Sequence, residues 1–255
     1  MSTNAKLLAW LGGLVLVGAG LLGGLSLAGG SGVGGLFEMD HGSESGRDPG
    51  ATGQQPPSGP AVSRTSPGGV LVATAGPEGA GETVAEQLAQ VPGVARVDRY
   101  LTGALSDGTQ VVGLDLQDAP LITPQGKVLD DVRAAVGREP TEVGEDEPPA
   151  AFVGQVWAQD NESIYGYQIA GMITSHPAPV QLVDDSQVTV VDVVATGDAQ
   201  ADNSVFVALT VAQRLLDGAD ARSLIAVSMD EGADQAAVRA AVEKAGLRPV
   251  EAGEN

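Results

Sequence analysis

Side chains able to do acid–base, nucleophilic or metal chemistry are few in this chain and widely spaced. There is no cysteine, and the two histidines are His41 and His176. Without cysteine there is no disulfide, zinc-thiolate site, iron–sulfur cluster, thiol nucleophile or lipid-modified cysteine. His176 lies in Ser175-His176-Pro177. A triad would need a carboxylate orienting that ring beside an activated serine, and no nucleophile-elbow pattern occurs. A loop histidine beside proline reads as exposed or structural, and two histidines are too few for a histidine metal cluster.

Carboxylate pairs occur at Asp115/Asp118, Asp184/Asp185 and Asp198/Asp202. A hard cation needs several oxygens converging on one point, and no D-x-[DN]-x-[DN]-G loop is present. The pairs read as solvated acidic surface. Gly18-Ala19-Gly20-Leu21-Leu22-Gly23 matches G-x-G-x-x-G, with Glu38 and Asp40 following. That fingerprint works only where a strand turns tightly into a new helix, so that phosphate meets the helix N-terminus. Here it sits inside an unbroken apolar run. Asn161-Glu162-Ser163 is an N-glycosylation sequon in what reads as an exposed turn. No catalytic, cofactor-binding or metal-binding residue is therefore expected, no cofactor, and no enzyme activity.

The 255 residues allow one ordinary domain or two small ones plus tails. With 33 Asp plus Glu against 13 Lys plus Arg, the formal charge is −20, which excludes nucleic acid as a direct partner. The two Trp, three Tyr and three Phe leave the core to Val, Leu, Ile and Ala. Residues 7–37 carry no ionisable side chain. As a helix, residues 7–30 would be about 36 Å long, enough to cross a hydrocarbon core of roughly 30 Å. Lys6 precedes the run and Glu38 and Asp40 follow it. Positive-inside logic puts residues 1–6 in the cytoplasm and everything after 37 outside.

A cleaved signal peptide competes with this reading, because Ser26-Leu27-Ala28 offers a small-x-small site before Gly29. The apolar run is longer than a signal core, so a single-pass anchor is expected; either way the rest is exported. Gly20, Gly24, Ala28 and Gly32 recur every four residues. Such a stripe suits close helix packing in lipid and a homodimer. Residues 38–255 hold all 33 acids and 12 bases. That excess reads as a solvation device suited to a salty medium.

Residues 31–69 read as a Gly/Ser/Pro-rich linker with no hydrophobic period. From Val70 the pattern becomes structured. A strand is predicted over 70–75, a helix over 82–90 stopped by Pro92-Gly93, a strand over 94–101, and a hairpin at Asp107-Gly108 into 109–116. A helix is predicted over 128–136, ended by Gly137. Strands are predicted for AFVGQVWA (151–158), YGYQIAGMI (165–173), APVQLV (178–183) and QVTVVDVVA (187–195). The end reads as strand 204–209, helix 210–218 and strand 223–229. A helix capped by Asp234 with Val238, Ala241, Val242 and Ala245 on its face follows, and then a last strand, LRPVEA. The fold class is α+β, with two βαβ-like halves flanking a strand-rich insertion.

VPGVARVDRYLTG (91–103), VVGLDL (111–116), QIAGMI…QVTVVDVVATG (168–197), VFVALTVAQRLLDG (205–218) and SLIAVSMDEGADQAAVRAAVEKAG (223–246) resemble the periplasmic core domain of MacB-type (FtsX-like) ABC transporter permeases. The resemblance covers about 70–250 plus the first span. It implies an extracytoplasmic domain over 70–255. A βαβ-rich porter-like half would come from 70–117 and 203–255, with an inserted, mostly-β sabre-like part at 118–202. It also implies a separate ABC ATPase and further permease subunits as partners. Chains of that family continue after the ectodomain into three more membrane helices, whereas this sequence stops at Asn255, and the long linker is unusual. The expectation is a free-standing accessory ectodomain or a truncated permease: a non-enzymatic, membrane-anchored domain acting in transport or envelope assembly through protein contacts. The alternative is a secreted or anchored surface protein binding an extracellular ligand.

Overall fold

Short Val-rich segments separated by Gly, Pro and Asp set the strand pattern of the domain. The computed structural model describes residues 59–250, apart from 62–63, 76–80, 145, 166–168, 170–172, 174, 183–185 and 218. The apolar run 7–30 with Gly20, Gly24, Ala28 and Gly32 lies outside the described residues. So do His41, Asp184, Asp185 and nearly all of the linker. Among the described residues no helix is long and apolar enough to cross a membrane.

The strands are β1 (Val70–Thr74), β2 (Val94–Ala104), β3 (Gln110–Leu114), β4 (Arg133–Ala134), β5 (Ala150–Gly154), β6 (Ala178–Gln181), β7 (Gln187–Ala195), β8 (Ser204–Ala208), β9 (Arg222–Met229) and β10 (Arg248–Pro249). The helices are α1 (Glu82–Ala89), α2 (Gln155–Tyr165), α3 (Leu209–Leu215) and α4 (Gln235–Lys244). The ten strands among the described residues join one sheet in the order β10-β1-β9-β2-β3-β8-β5-β7-β4, with β6 also against β7. The pairs β3–β8 and β5–β7 are parallel and the rest antiparallel. The fold is thus mixed α+β. Strands from 70–117 and 203–250 are contiguous in the sheet, and β5, β7, β4 and β6 extend it beyond β8.

Side chains alternate between sheet faces, and both faces are covered. On one, Ala73, Ile225 and Val227 pack on Leu88 of α1 and Val238 and Val242 of α4. Beside them, Val111, Val153, Val205 and Val207 pack on Trp157 of α2 and Val211 and Ala212 of α3. On the other, Tyr100, Val112, Phe152 and Phe206 meet Leu121, Ile122, Leu129 and Val132 from the connection after β3. Helices cover one side and an irregular chain the other.

Most predicted elements are present, including the Asp107-Gly108 hairpin. There Gly108 takes φ +90°, and Asp107 accepts the Thr109 N–H at 2.9 Å. Asp234 caps α4 by accepting the N–H groups of Ala236 and Ala237. Three expectations fail. Residues 128–136 form no helix: Val128 makes an isolated bridge to Ile122, and Arg133–Ala134 pairs with β7. The apolar spacing is met by Leu129, Val132 and Ala134 dipping into the core of an extended, turning chain. Residues 151–158 are a strand only to Gly154, after which α2 begins at Gln155. The described part of 165–173 holds no strand: Tyr165 ends α2, Ile169 is helical, and the Ile173 N–H donates to the Ile169 carbonyl at 3.1 Å in a turn.

Candidate functional site: a cleft where β3 leaves the sheet

β2 runs eleven residues and pairs with β9 from Val94 to Thr102, but with β3 only from Leu101 to Ala104. Beyond Leu114 the chain turns away. The Asp115 carboxylate accepts the Gln117 N–H at 2.9 Å, and the Asp115 carbonyl accepts the Ala119 N–H at 3.1 Å. Arg64 donates to the carbonyl of Leu116, tying the departing chain down. The departure opens a cleft of about 490 Å³ beside Val97–Arg99. Ala85 of α1, Leu116, Pro140 and Leu209 form its apolar wall, and Asp98, Arg99, Asp115, Gln117 and Thr210 are polar groups along it. About 300–1,000 Å³ is the usual size of a small-molecule site.

Asp98 and Arg99 point to opposite faces of β2 and differ in partnership. Asp98 is 8% exposed and accepts from Arg96 Nε at 2.8 Å. Burial raises its pKa above the ordinary carboxyl value, Arg96 partly offsets this, and the charges of Asp115 and Asp118 add to the rise. On the same face Tyr100 donates its hydroxyl to the Pro120 carbonyl at 2.8 Å. Burial, with Asp98 nearby, pushes the Tyr100 phenol above its usual range. Arg99 is half-buried and has no hydrogen bond or ion pair among the described residues. The alternation in VARVDRYL marks both positions as strand residues on opposite faces, but not that β3 would withdraw beside them.

The acids singled out by spacing are not one site. Asp115 and Asp118 are exposed beside the cleft. Asp202, expected on the solvated surface, is instead 5% exposed. It accepts the Thr196 N–H at 2.7 Å, the Thr196 hydroxyl at 2.8 Å and Gln155 Nε2 at 3.1 Å. Asp198 accepts the Gln200 N–H at 3.1 Å and lies 3.5 Å from Lys127 Nζ. These carboxylates fold the loop before β8 and pin it to the start of α2. Ser175 and His176 are exposed. Asn161 is in α2, not in a turn: its side-chain amide donates to the Trp157 carbonyl at 2.9 Å, so the sequon lies on a helix. Among the described residues no group of three or more His, Asp and Glu could hold a metal ion.

Sequence spacing does not reveal Asp192, the most heavily hydrogen-bonded acid among the described residues. It is 1% exposed in the middle of β7. Its carboxylate accepts the N–H groups of Ala135 at 2.8 Å, Val136 at 3.2 Å, Gly137, Arg138 at 2.9 Å and its own neighbour Val193 at 2.8 Å. A charged residue inside the otherwise uncharged, Val-rich QVTVVDVVA is the only signal, and by itself it does not tell which amides it would collect.

No protein-family model and no curated protein matches the chain. Among solved structures it is similar to the periplasmic region of MacB from Actinobacillus actinomycetemcomitans, at 12% identity and a TM-score of 0.41, covering 69% of this chain and 84% of that one. It is similar to a domain of a Porphyromonas gingivalis protein described as a permease, at 15% identity and a TM-score of 0.38, covering 69% and 78%. It is also similar to the extracellular domain of the ABC-type transporter YknZ from Gram-positive bacteria, at 14% identity and a TM-score of 0.34, covering 71% and 99%.

Proposed function

We propose that this chain is a non-enzymatic extracytoplasmic module, anchored by residues 7–30, that serves a transport or envelope assembly through protein contacts. One observation carries the reading. The phrases that resemble MacB-type permeases at 91–103, 111–116, 205–218 and 223–246 come together as β2, β3, β8 and β9 with α3 and α4, although more than a hundred residues separate the first from the last. In this reading 70–117 and 203–255 are the porter-like half and 118–202 the insertion, entering the sheet through β5 beside β8. Energy would come from a separate ABC ATPase, because the sequence has no G-x-x-x-x-G-K-[ST] loop. Further permease subunits would complete the membrane part.

Crosslinking in intact cells and purification of the full-length chain from membranes tests this. The expected result is recovery of an ATPase and additional membrane-spanning subunits; recovery of neither defeats the reading. Added protease should cleave the chain after residue 37 from outside. The stripe Gly20, Gly24, Ala28 and Gly32 would pack two copies, so Gly24→Leu should weaken self-association in a membrane reporter assay. Unchanged association removes the homodimer.

A further inference from the structure

Beyond protein contacts, we propose that the cleft beside Val97–Arg99 binds an amphipathic monocarboxylate, with Arg99 taking the carboxylate and the wall of Ala85, Leu116, Pro140 and Leu209 taking the apolar body. Of the described arginines, Arg64, Arg96, Arg99, Arg138 and Arg239 are half-buried. Arg64 donates to the Leu116 carbonyl, Arg96 pairs with Asp98, Arg239 pairs with Glu243, and Arg138 is also partnered. Arg99 alone among these has no partner, and it lines the cleft.

In a chain with 33 acids a guanidinium has many candidate partners. Two acids share the lining with it: Asp98 accepts from Arg96 Nε, Asp115 accepts the Gln117 N–H, and neither forms an ion pair with Arg99. Arg99 therefore keeps its donors for a group that enters the cleft. A guanidinium presents five N–H donors in a planar fork matched to carboxylate, and a charge-assisted pair of this kind is stronger than a neutral hydrogen bond. The Thr210 hydroxyl on the lining adds a neutral polar contact. The charge of the rest of the chain is screened beyond roughly 8 Å at physiological salt, while Asp98 and Asp115 on the same lining disfavour a second anionic group and leave room for a single carboxylate at Arg99.

Isothermal titration of the full-length chain with 3-phenylpropionate, with its alcohol 3-phenylpropanol and with inorganic phosphate tests the proposal. The acid should bind saturably, and at least about tenfold more tightly than the alcohol or phosphate. Arg99→Gln should abolish the preference for acid over alcohol while leaving the melting temperature within a few degrees of the parent. The proposal is overturned by no saturable binding of the acid at millimolar concentration, by equal binding of acid and alcohol, by phosphate binding as tightly as the acid, or by an unchanged preference in Arg99→Gln. Should that variant fail to fold, the acid-to-alcohol ratio of the parent chain still decides.

Discussion

A single carboxylate, Asp192, holds four consecutive amides of another segment, Ala135 to Arg138, against the middle of β7. Asn in its place offers one acceptor oxygen and turns an N–H₂ toward N–H donors. Asp192→Asn should therefore cost about 3 kcal/mol in urea unfolding; a loss under about 1 kcal/mol would show that the amides find other acceptors. Asp98 acts in the opposite sense. Folding raises its pKa, so between the ordinary 3.8 and the raised value the folded chain holds more protons than the unfolded one. Its contribution to stability is full below that window and is lost as pH rises through it. Asp98→Asn should thus gain relative to the parent between pH 4 and pH 7 in urea melts. The same difference at both pH values would rule this out. In the sequence Asp98 and Asp192 look alike, each a lone acid within a strand-like segment. Their opposite roles depend on whether backbone amides or a lone arginine happen to face them.

At the scale of elements, local signals succeeded where neighbours in sequence do the bonding. Asp107-Gly108 and Asp234 are of this kind, since each acid captures N–H groups two or three residues ahead. They failed at 128–136, where the amides of Ala134, Ala135 and Val136 go to Pro60, Val193 and Asp192, all more than fifty residues away. The i, i+3 apolar spacing of Leu129 and Val132 is helical in form, but it is satisfied by a chain crossing a flat sheet face. α3 shows the reverse dependence, of a helix on one glycine. A Cβ on Gly113 would collide with the Cβ of Ala212. Gly113→Ala should cost about 2 kcal/mol by pushing α3 off β3, and adding Ala212→Gly should recover part of that loss. Additive losses in the double variant would mean that the two positions do not meet.

For the molecule as a whole, the acid excess is a property of composition, and its consequence is testable without knowing any partner. With a formal charge of −20, repulsion within the folded domain should ease as salt screens it. The melting temperature should rise by about 5 °C or more between roughly 20 mM and 1 M NaCl; a flat response would leave the charge without a role in stability. The sequence by itself determined the uncharged apolar run, the strand-rich α+β class, the Asp107-Gly108 hairpin and the Asp234 cap. All of these follow from periodicity, side-chain volume or contacts a few residues long. Only the tertiary structure decided that ten strands share one sheet, that a helix-like segment runs extended beneath it, and that β3 leaves β2 to open the cleft at Arg99. Those outcomes depend on which of many distant donors and acceptors meet, and that is settled when the chain closes, because each buried amide and carboxylate must find a partner.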